Sequence, residues 1–203
     1  MPHLNRLRGL ESKLLRYLAV VDLEATCSDG ASIPSDEMET IEVGIVVLDL
    51  QEGCKVVDEY ASFVRPQVHP VLTRFCTRLT TITQQDVDGA RRWPEVSAEV
   101  QAFLARFPEL TWASWGNYDR NQITLDAKRL GIPECLPSGL HSNFKDYFSS
   151  IHNLKRMGMK PAVHRCGLEW TGTHHRAISD ARNLAAIAPF VLCRKVLPTE
   201  DMV

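Results

Sequence analysis

YLAVVDLE, at residues 17–24, predicts a buried β-strand that ends in two acids. Its valines and its even apolar period are typical of strands. Because successive side chains on a strand point to opposite faces, Asp22 and Glu24 share one face while Leu23 points to the other. Two neighbouring half-buried carboxylates repel each other unless a cation neutralises them or one keeps its proton. A strand that emerges into water could carry the same pattern, so this motif alone leaves metal binding open.

A third acid follows another predicted strand. LTWASWG, at residues 110–116, is a short aromatic-rich run that stops at Gly116, and a helical pattern follows it as far as Gly131. Asp119 lies at the start of that helix, where a carboxylate is favourable as a cap or as a charge near the positive helix end. The same place also points a carboxylate over the end of a strand, where open α/β sheets bind ligands. Both roles remain open.

The fourth acid comes with a histidine. GTHHRAISD, at residues 172–180, precedes a helical pattern that runs to Leu192. Within one regular helix, His175 and Asp180 would point about 140° apart, so they converge only if His175 lies on the preceding loop. The pair of histidines at 174 and 175 could be a surface feature or a transition-metal site. Neither Cys-x-x-Cys nor His-x-x-x-His accompanies it, which disfavours zinc.

Three motifs therefore occur in chain order: DLEATC at 22–27, WGNYD at 115–119, and His175 five residues before Asp180. They resemble the DEDDh branch of 3′→5′ exonucleases and, within it, the ERI-type exoribonucleases that trim RNA 3′ ends. The similarity runs from about residue 17 to residue 192 and includes FVRP at 63–66, LTTIT at 79–83 and GTHHR at 172–176. It implies an α/β, ribonuclease-H-like fold, in which helices flank a mixed sheet.

The resemblance also implies the chemistry. Two divalent ions per active site, Mg²⁺ or Mn²⁺, would be held by four metal ligands: Asp22, Glu24, Asp119 and Asp180. Oxygen ligands of this kind suit these hard cations. His175 would act as the general base, since an imidazole with a pKa near 6.5 accepts a proton close to neutral pH. The product would be a nucleoside 5′-monophosphate, and His174 is expected to support the structure.

Five residues are expected to contact the substrate: Ala25, Thr26, Phe75, Leu79 and Tyr118. In ERI-type relatives, aromatic side chains at the positions of Phe75 and Tyr118 clamp the last base, while core packing remains the alternative for Phe75. The chain departs from those relatives in two places. Tyr118 stands where they carry tryptophan, and Thr81 stands where they often have glycine, which leaves base preference open.

One domain is expected at 17–193, with an N-terminal extension at 1–16 and a C-terminal tail at 194–203. Further strands are predicted at 41–50 and 55–64, joined by a hairpin at Glu52-Gly53, and further helices at 94–107, 144–154 and 160–166. Residues 27–40 are expected to form a mobile loop that borders the substrate path.

Composition limits the possible functions. The net charge of −2 and the pI near 6.4 argue against a generally basic nucleic-acid-binding surface but permit a local groove. The six cysteines lack paired spacing, which favours reduced thiols. The chain has neither a run of eighteen apolar residues nor an apolar leader, so we expect a cytoplasmic protein without membrane contact.

The expected partner is single-stranded nucleic acid, RNA rather than DNA. Two alternatives from other functional classes remain at this point. A DNA-directed 3′→5′ exonuclease of repair or proofreading would use the same five residues, because sugar choice depends on where the 2′-hydroxyl lands. A non-catalytic, partner-binding regulator could also keep the fold, although all five catalytic residue types are present.

Overall fold

A computed structural model describes residues 15–30 and 32–198 of the chain. Five strands form one sheet in the order β3-β2-β1-β4-β5. They are β1 (Tyr17–Ala25), β2 (Thr40–Asp49), β3 (Lys55–Phe63), β4 (Leu110–Ser114) and β5 (His141–Asn143). The first three strands pair antiparallel, whereas β4 runs parallel to β1 and β5 parallel to β4. The predicted mixed sheet is therefore confirmed.

Helices cover both faces of this sheet. In the described part of the chain they are α1 (Arg74–Thr80), α2 (Gln84–Asp88), α3 (Trp93–Leu104), α4 (Tyr118–Leu130), α5 (Phe144–Ile151), α6 (Met159–Arg165) and α7 (Ala177–Val191). None of these helices is long and apolar enough to span a bilayer.

Alternation along β1 assigns its two faces to different layers. Leu18 and Val20 pack in a core with α5, α6 and α7, whereas Ala19 and Val21 pack in a second core with α3. All four side chains are fully buried, as expected of a strand at the centre of a three-layer α/β fold. Asp22 and Glu24 lie on the same face of β1 as Leu18 and Val20. Both acids therefore point toward the layer that contains α7.

Glycine at position 44 lets α7 approach the sheet closely. A Cβ atom on Gly44 would lie 2.3 Å from the carbonyl carbon of Ala177, the first residue of α7. Gly44 pairs in register with Asp22 on β1. The helix that carries the last acid therefore begins directly above the strand pair that carries the first two.

The predicted long elements agree with the structure to within about three residues, the usual scatter of element ends. Helix α3 ends at Leu104 rather than 107, and α5 ends at Ile151 rather than 154. Local sequence patterns did not predict α1, α2 or β5. The two helices are only seven and five residues long and depend on threonine caps. Strand β5 has three residues with no apolar period and is defined by its pairing with β4.

Only parts of the two predicted terminal segments fall within the described residues. Most of the predicted extension at 1–16 and part of the predicted tail at 194–203 lie outside the described residues. Within them, the Arg16 guanidinium donates to the Asp49 carboxylate at 3.0 Å, and the Leu50 N–H donates to the Arg16 carbonyl at 2.8 Å. Arg16 is therefore already joined to the end of β2.

Candidate active site

The carboxyl ends of the parallel strands β1 and β4 meet at one edge of the sheet, and three acids gather there. Asp22 and Glu24 lie at the end of β1, and Asp119 lies in the first turn of α4, just after β4. The Oδ1 atom of Asp119 accepts a hydrogen bond from the Leu23 N–H at 2.9 Å. Asp119 is thus attached to β1, while the predicted capping position is taken by Asn117, which makes no side-chain cap.

Helix α7 brings the fourth acid and the histidine to the same edge. His175 lies on the loop two residues before the helix, with φ of 60°, and Asp180 lies in the first turn. The His175 N–H donates to Oδ2 of Asp180 at 3.4 Å. This arrangement places His175 outside the regular helix, as convergence with Asp180 requires.

The acids form a compact cluster. Carboxylate oxygens of Asp22, Glu24 and Asp180 lie within 4.8 Å of one another, and so do ligand atoms of His174, His175 and Asp180. The Oδ1 atom of Asp180 is buried and has no hydrogen-bond partner among the described residues. A buried carboxylate oxygen without a partner has an unfavourable desolvation free energy, which a bound cation at this atom would offset.

Crowding and burial raise the pKa of all four carboxyl groups. Burial is the main cause for each of them, and the neighbouring acids add repulsion at Asp22, Glu24 and Asp180. The pKa of Glu24 rises to about 9, that of Asp180 to about 7 and that of Asp119 to about 6, and that of Asp22 rises well above its ordinary range. Keeping the four groups ionised at neutral pH therefore requires compensating positive charge.

These residues fit divalent cations. The donors are carboxylate oxygens, which Mg²⁺ and Mn²⁺ prefer, and one of them lacks any partner in the described protein. Burial also lowers the pKa of His175, which favours its neutral form. A neutral imidazole beside an acid cluster can accept a proton, while the acids hold positive charge.

A cavity of about 490 Å³ opens over the cluster. It is lined by all five predicted catalytic residues and, among the predicted substrate residues, by Ala25, Leu79 and Tyr118. Leu79 is 37% exposed and Tyr118 is 46% exposed. The cavity thus combines an acidic floor with apolar side chains that are free to contact a ligand.

Two predicted substrate residues lie outside the cavity lining. Thr26 is buried, and its hydroxyl accepts a hydrogen bond from the Glu39 N–H at 3.0 Å, so its side chain anchors the loop that follows β1. Phe75 is half-buried on α1, one helical turn before Leu79 and hence on the same helix face. A role for Phe75 at the rim of the cavity stays a prediction.

The structure adds cavity residues that the sequence analysis did not assign to the substrate. They are Leu23, Cys27, Met38, Trp115, Gly158, Met159 and His174. Met38 lies near the end of the segment at 27–40 that was expected to border the substrate path, and its carbonyl accepts a hydrogen bond from the Gln122 amide at 2.9 Å. The position of this segment directly after Asp22 and Glu24 was the sequence signal for a cavity role of Met38. No local signal existed for Met159, which reaches the cavity only through tertiary packing.

The raised carboxyl pKa values predict how pH affects the metal-free protein. Between about pH 4 and pH 9 these carboxyl groups bind more protons in the folded than in the unfolded state, so their contribution to stability falls as pH rises. The lowered pKa values of His141, His152, His174 and His175 act in the opposite direction below about pH 7. Thermal melts from pH 7 to pH 9, where the histidines are largely neutral in both states, should show a falling melting temperature, and added Mg²⁺ should reduce the slope. A melting temperature that rose with pH across this range in EDTA would contradict the repulsion between these acids.

The fold and the acid cluster define a class of protein. The family model described as Exonuclease (RNase_T) matches residues 19–188, a span that contains all five predicted catalytic residues. The chain therefore belongs to this exonuclease family, whose members hydrolyse phosphodiester bonds.

Similar relatives place the chain within that family. The 3′-5′ exonuclease eri1 of Schizosaccharomyces pombe is 30% identical over 203 residues, and the 3′-5′ exoribonuclease 1 of Homo sapiens is 28% identical over 182 residues. Each alignment covers 85% of this chain, together with 67% of the yeast protein and 51% of the human protein. The chain thus matches about half to two thirds of the length of these relatives, and it is of the ERI type.

Solved structures agree on the fold. The nuclease domain of 3′hExo, a DEDDh family member bound to rAMP, matches with a TM-score of 0.81 at 23% identity, over 92% of this chain and 98% of that domain. A 3′-exonuclease that recognises the histone mRNA stem-loop matches with a TM-score of 0.80 at 24% identity, over 89% of this chain and 83% of that one. These matches support the ribonuclease-H-like fold predicted from the sequence.

Proposed function

We propose that the chain removes nucleotides from the 3′ end of single-stranded RNA and releases nucleoside 5′-monophosphates, with two Mg²⁺ or Mn²⁺ ions in its active site. The observation that carries this proposal is the convergence of four acids and His175 under one open cavity. The exoribonuclease names of similar relatives favour RNA over DNA. The predicted cytoplasmic location stays a prediction.

Each catalytic group has a distinct task in this proposal. Asp22, Glu24, Asp119 and Asp180 hold the cations, and the hydrogen bond from Leu23 fixes the orientation of Asp119. The bound ions supply positive charge that offsets the charge of the phosphate. His175, which burial keeps neutral, accepts the proton of the attacking water. The loop before α7 places its ring at the cavity wall.

The terminal base would lie between the two exposed apolar side chains of the cavity. Leu79 comes from α1 and Tyr118 comes from the start of α4, directly before Asp119. A base held against Tyr118 would therefore bring its own phosphate close to the acids. A pocket of this kind would accept the free end of a nucleic-acid chain, which favours exonucleolytic over internal cleavage.

Replacement of Tyr118 by alanine should weaken binding of a short single-stranded RNA by about 1 to 3 kcal/mol, the usual contribution of one base stacked on an aromatic ring. Tyr118→Phe keeps the ring and should bind like wild type. Binding is measured by fluorescence anisotropy in Ca²⁺, which should support association with little turnover. Equal affinity of wild type and Tyr118→Ala would show that the base lies elsewhere.

A cleavage assay tests the proposed function as a whole. Matched RNA and DNA oligonucleotides, labelled at the 3′ or the 5′ end, are incubated with Mg²⁺, Mn²⁺ or EDTA. We expect the 3′ label to appear first as a mononucleotide, faster on RNA than on DNA, with no cleavage in EDTA. Faster cleavage of DNA would favour the DNA-directed alternative, and the absence of cleavage under all conditions would favour the regulator.

A further inference from the structure

A fifth buried carboxylate lies beside the four predicted metal ligands. Glu42 belongs to β2, is 3% exposed, and pairs in register with Glu24 on β1. Its charge is close enough to raise the pKa of Asp22, Glu24 and Asp180. An uncompensated fifth negative charge at this place would be costly, so its partners matter.

Arg176 compensates this charge. Its Nε and Nη2 atoms donate to the two carboxylate oxygens of Glu42, at 3.1 and 3.0 Å, in the parallel geometry that arginine offers to carboxylates. The Ala177 N–H donates to the same carboxylate at 2.9 Å. The guanidinium also lies 5.1 Å from the ring centre of Phe63, so a cation–π contact stabilises the same position of Arg176.

The pair joins the helix that carries Asp180 to the strand beside Glu24. Arg176 directly follows His175, and Ala177 begins α7 at the point where Gly44 lets the helix touch β2. A shift of Glu42 or Arg176 would therefore move His175 and the first turn of α7 relative to β1. The described contacts make this connection the main polar link between the helix start and the sheet.

We propose that Glu42 and Arg176 are a positioning pair, which seats the segment from His175 to Asp180 on the sheet and fixes the net charge around the metal ligands, so that it sets their affinity for divalent cations. This inference rests on the proposed metal-dependent function. It assigns neither residue to direct contact with the substrate or with the ions.

The two roles predict a result that a purely structural pair would not give. Glu42→Gln leaves the Arg176 charge without its partner beside the ligands, so it should repel cations. Arg176→Gln leaves the Glu42 charge uncompensated, so it should attract them. Loss of packing alone would weaken cation binding in both variants, whereas the charge role separates them.

Calorimetric titration of the metal-free full chain with Mn²⁺ at pH 8, without nucleic acid, measures this separation. We expect Glu42→Gln to bind Mn²⁺ about tenfold more weakly than Arg176→Gln, a change of the size that one nearby charge produces. The double variant Glu42→Gln/Arg176→Gln restores neutrality and should bind within about threefold of wild type. Thermal melts establish that each variant is folded.

A matched control comes from the same helix. Arg182 of α7 donates to Glu59 of β3 at 2.9 Å, and the side chains are 53% and 32% exposed. Arg182→Gln removes one positive charge from the same helix and should leave the affinity for Mn²⁺ unchanged, because exposed pairs contribute little and are screened by salt.

Arg176→Lys isolates positioning from charge. Lysine keeps the positive charge but cannot make the parallel pair of hydrogen bonds. This variant should therefore stay closer to wild type in its affinity for Mn²⁺ than Glu42→Gln does, while kcat falls by about tenfold or more, because small displacements are costly in a positioned reaction. Wild-type kcat in Arg176→Lys would overturn the seating role.

The affinity ratio decides the electrostatic role. A ratio of Mn²⁺ dissociation constants below about threefold between Glu42→Gln and Arg176→Gln would overturn it, and a larger ratio in the stated direction supports it. This failure differs from failure of the proposed function. In the first case the wild type still binds Mn²⁺ and cleaves RNA, whereas in the second the wild type itself does not cleave RNA in preference to DNA, whatever its affinity for Mn²⁺.

Discussion

Asp180→Asn is expected to abolish cleavage and to stabilise the metal-free protein. One buried oxygen of this carboxylate has no hydrogen-bond partner within residues 15–30 and 32–198, and the pKa of the group is raised to about 7, so at pH 8 its charge adds to the repulsion within the cluster. Asparagine keeps the shape and can still accept from the His175 N–H, but it removes the charge. Loss of one metal ligand should lower the rate by about 10³-fold or more, since metal charge contributes several kcal/mol to such reactions.

The gain in stability is the unusual part of this prediction. Removing this repulsion should stabilise the folded protein by about 1 kcal/mol, which should raise the melting temperature in EDTA by about 2 to 4 °C for a chain of this size. Asp126 provides the matched control, because it is equally buried but fully engaged. Its Oδ2 atom accepts from the Thr40 hydroxyl at 2.7 Å and from the Gln122 amide at 3.0 Å.

Asp126→Asn should therefore destabilise the protein, by about 1 to 3 kcal/mol, because it leaves a buried donor without its acceptor. Rates are measured on 3′-labelled RNA at saturating Mg²⁺, and melting temperatures in EDTA at pH 8. A folded Asp180→Asn variant that kept wild-type turnover would exclude Asp180 from the metal site. A melting temperature lowered as much as in Asp126→Asn would mean that Asp180 is a structural acid.

His175→Ala should lower the rate by about 10² to 10⁴, the usual loss on removing a general base, and leave Mn²⁺ binding nearly unchanged. The structure adds a complication, since His175 has φ of 60°, a region in which alanine is strained. His175→Asn removes the base but tolerates this backbone, so it separates lost chemistry from a distorted loop. Both variants should show the same fold-decrease in the cleavage rate.

His174 provides the second comparison. Its Nε2 atom lies 3.9 Å from Oδ2 of Asp180, and its ring lies against the rings of Trp170 and His175. In its predicted supporting role, His174→Ala should lower the rate less than His175→Asn does. Single-turnover rates and calorimetric Mn²⁺ titrations decide between the two. Lost Mn²⁺ binding in His175→Asn would make this histidine a ligand rather than a base.

Much of the fold was readable from local patterns. The continuous apolar run at residues 17–21 is a direct consequence of burial on both faces of a central strand, and the structure confirms β1 there. The long helices α3, α4 and α7 show their apolar spacing over at least twelve residues each. The order of the acids, each at a strand end or helix start, indicated a common site before any distance was known.

Other features have no local signature. Thr26 lies inside the DLEATC motif, yet its hydroxyl anchors Glu39 rather than facing the cavity. Phe75 and Leu79 share one face of α1, but only Leu79 lines the cavity. Which of two neighbouring side chains faces a cavity depends on how the helix is placed against the rest of the protein.

The sequence by itself determined the order of the acids along the chain and the residue types available for metal and proton chemistry, because spacing is a local property. Its motifs implied the class of fold through their resemblance to DEDDh exonucleases. Only the tertiary structure decided that Asp119 is attached to β1 through Leu23, that Oδ1 of Asp180 has no hydrogen-bond partner in the described part of the chain, and that Glu42 and Arg176 meet. These last two residues are 134 positions apart. Their contact depends on the register of β2 and on the approach of α7 at Gly44, which arise only when the layers pack together.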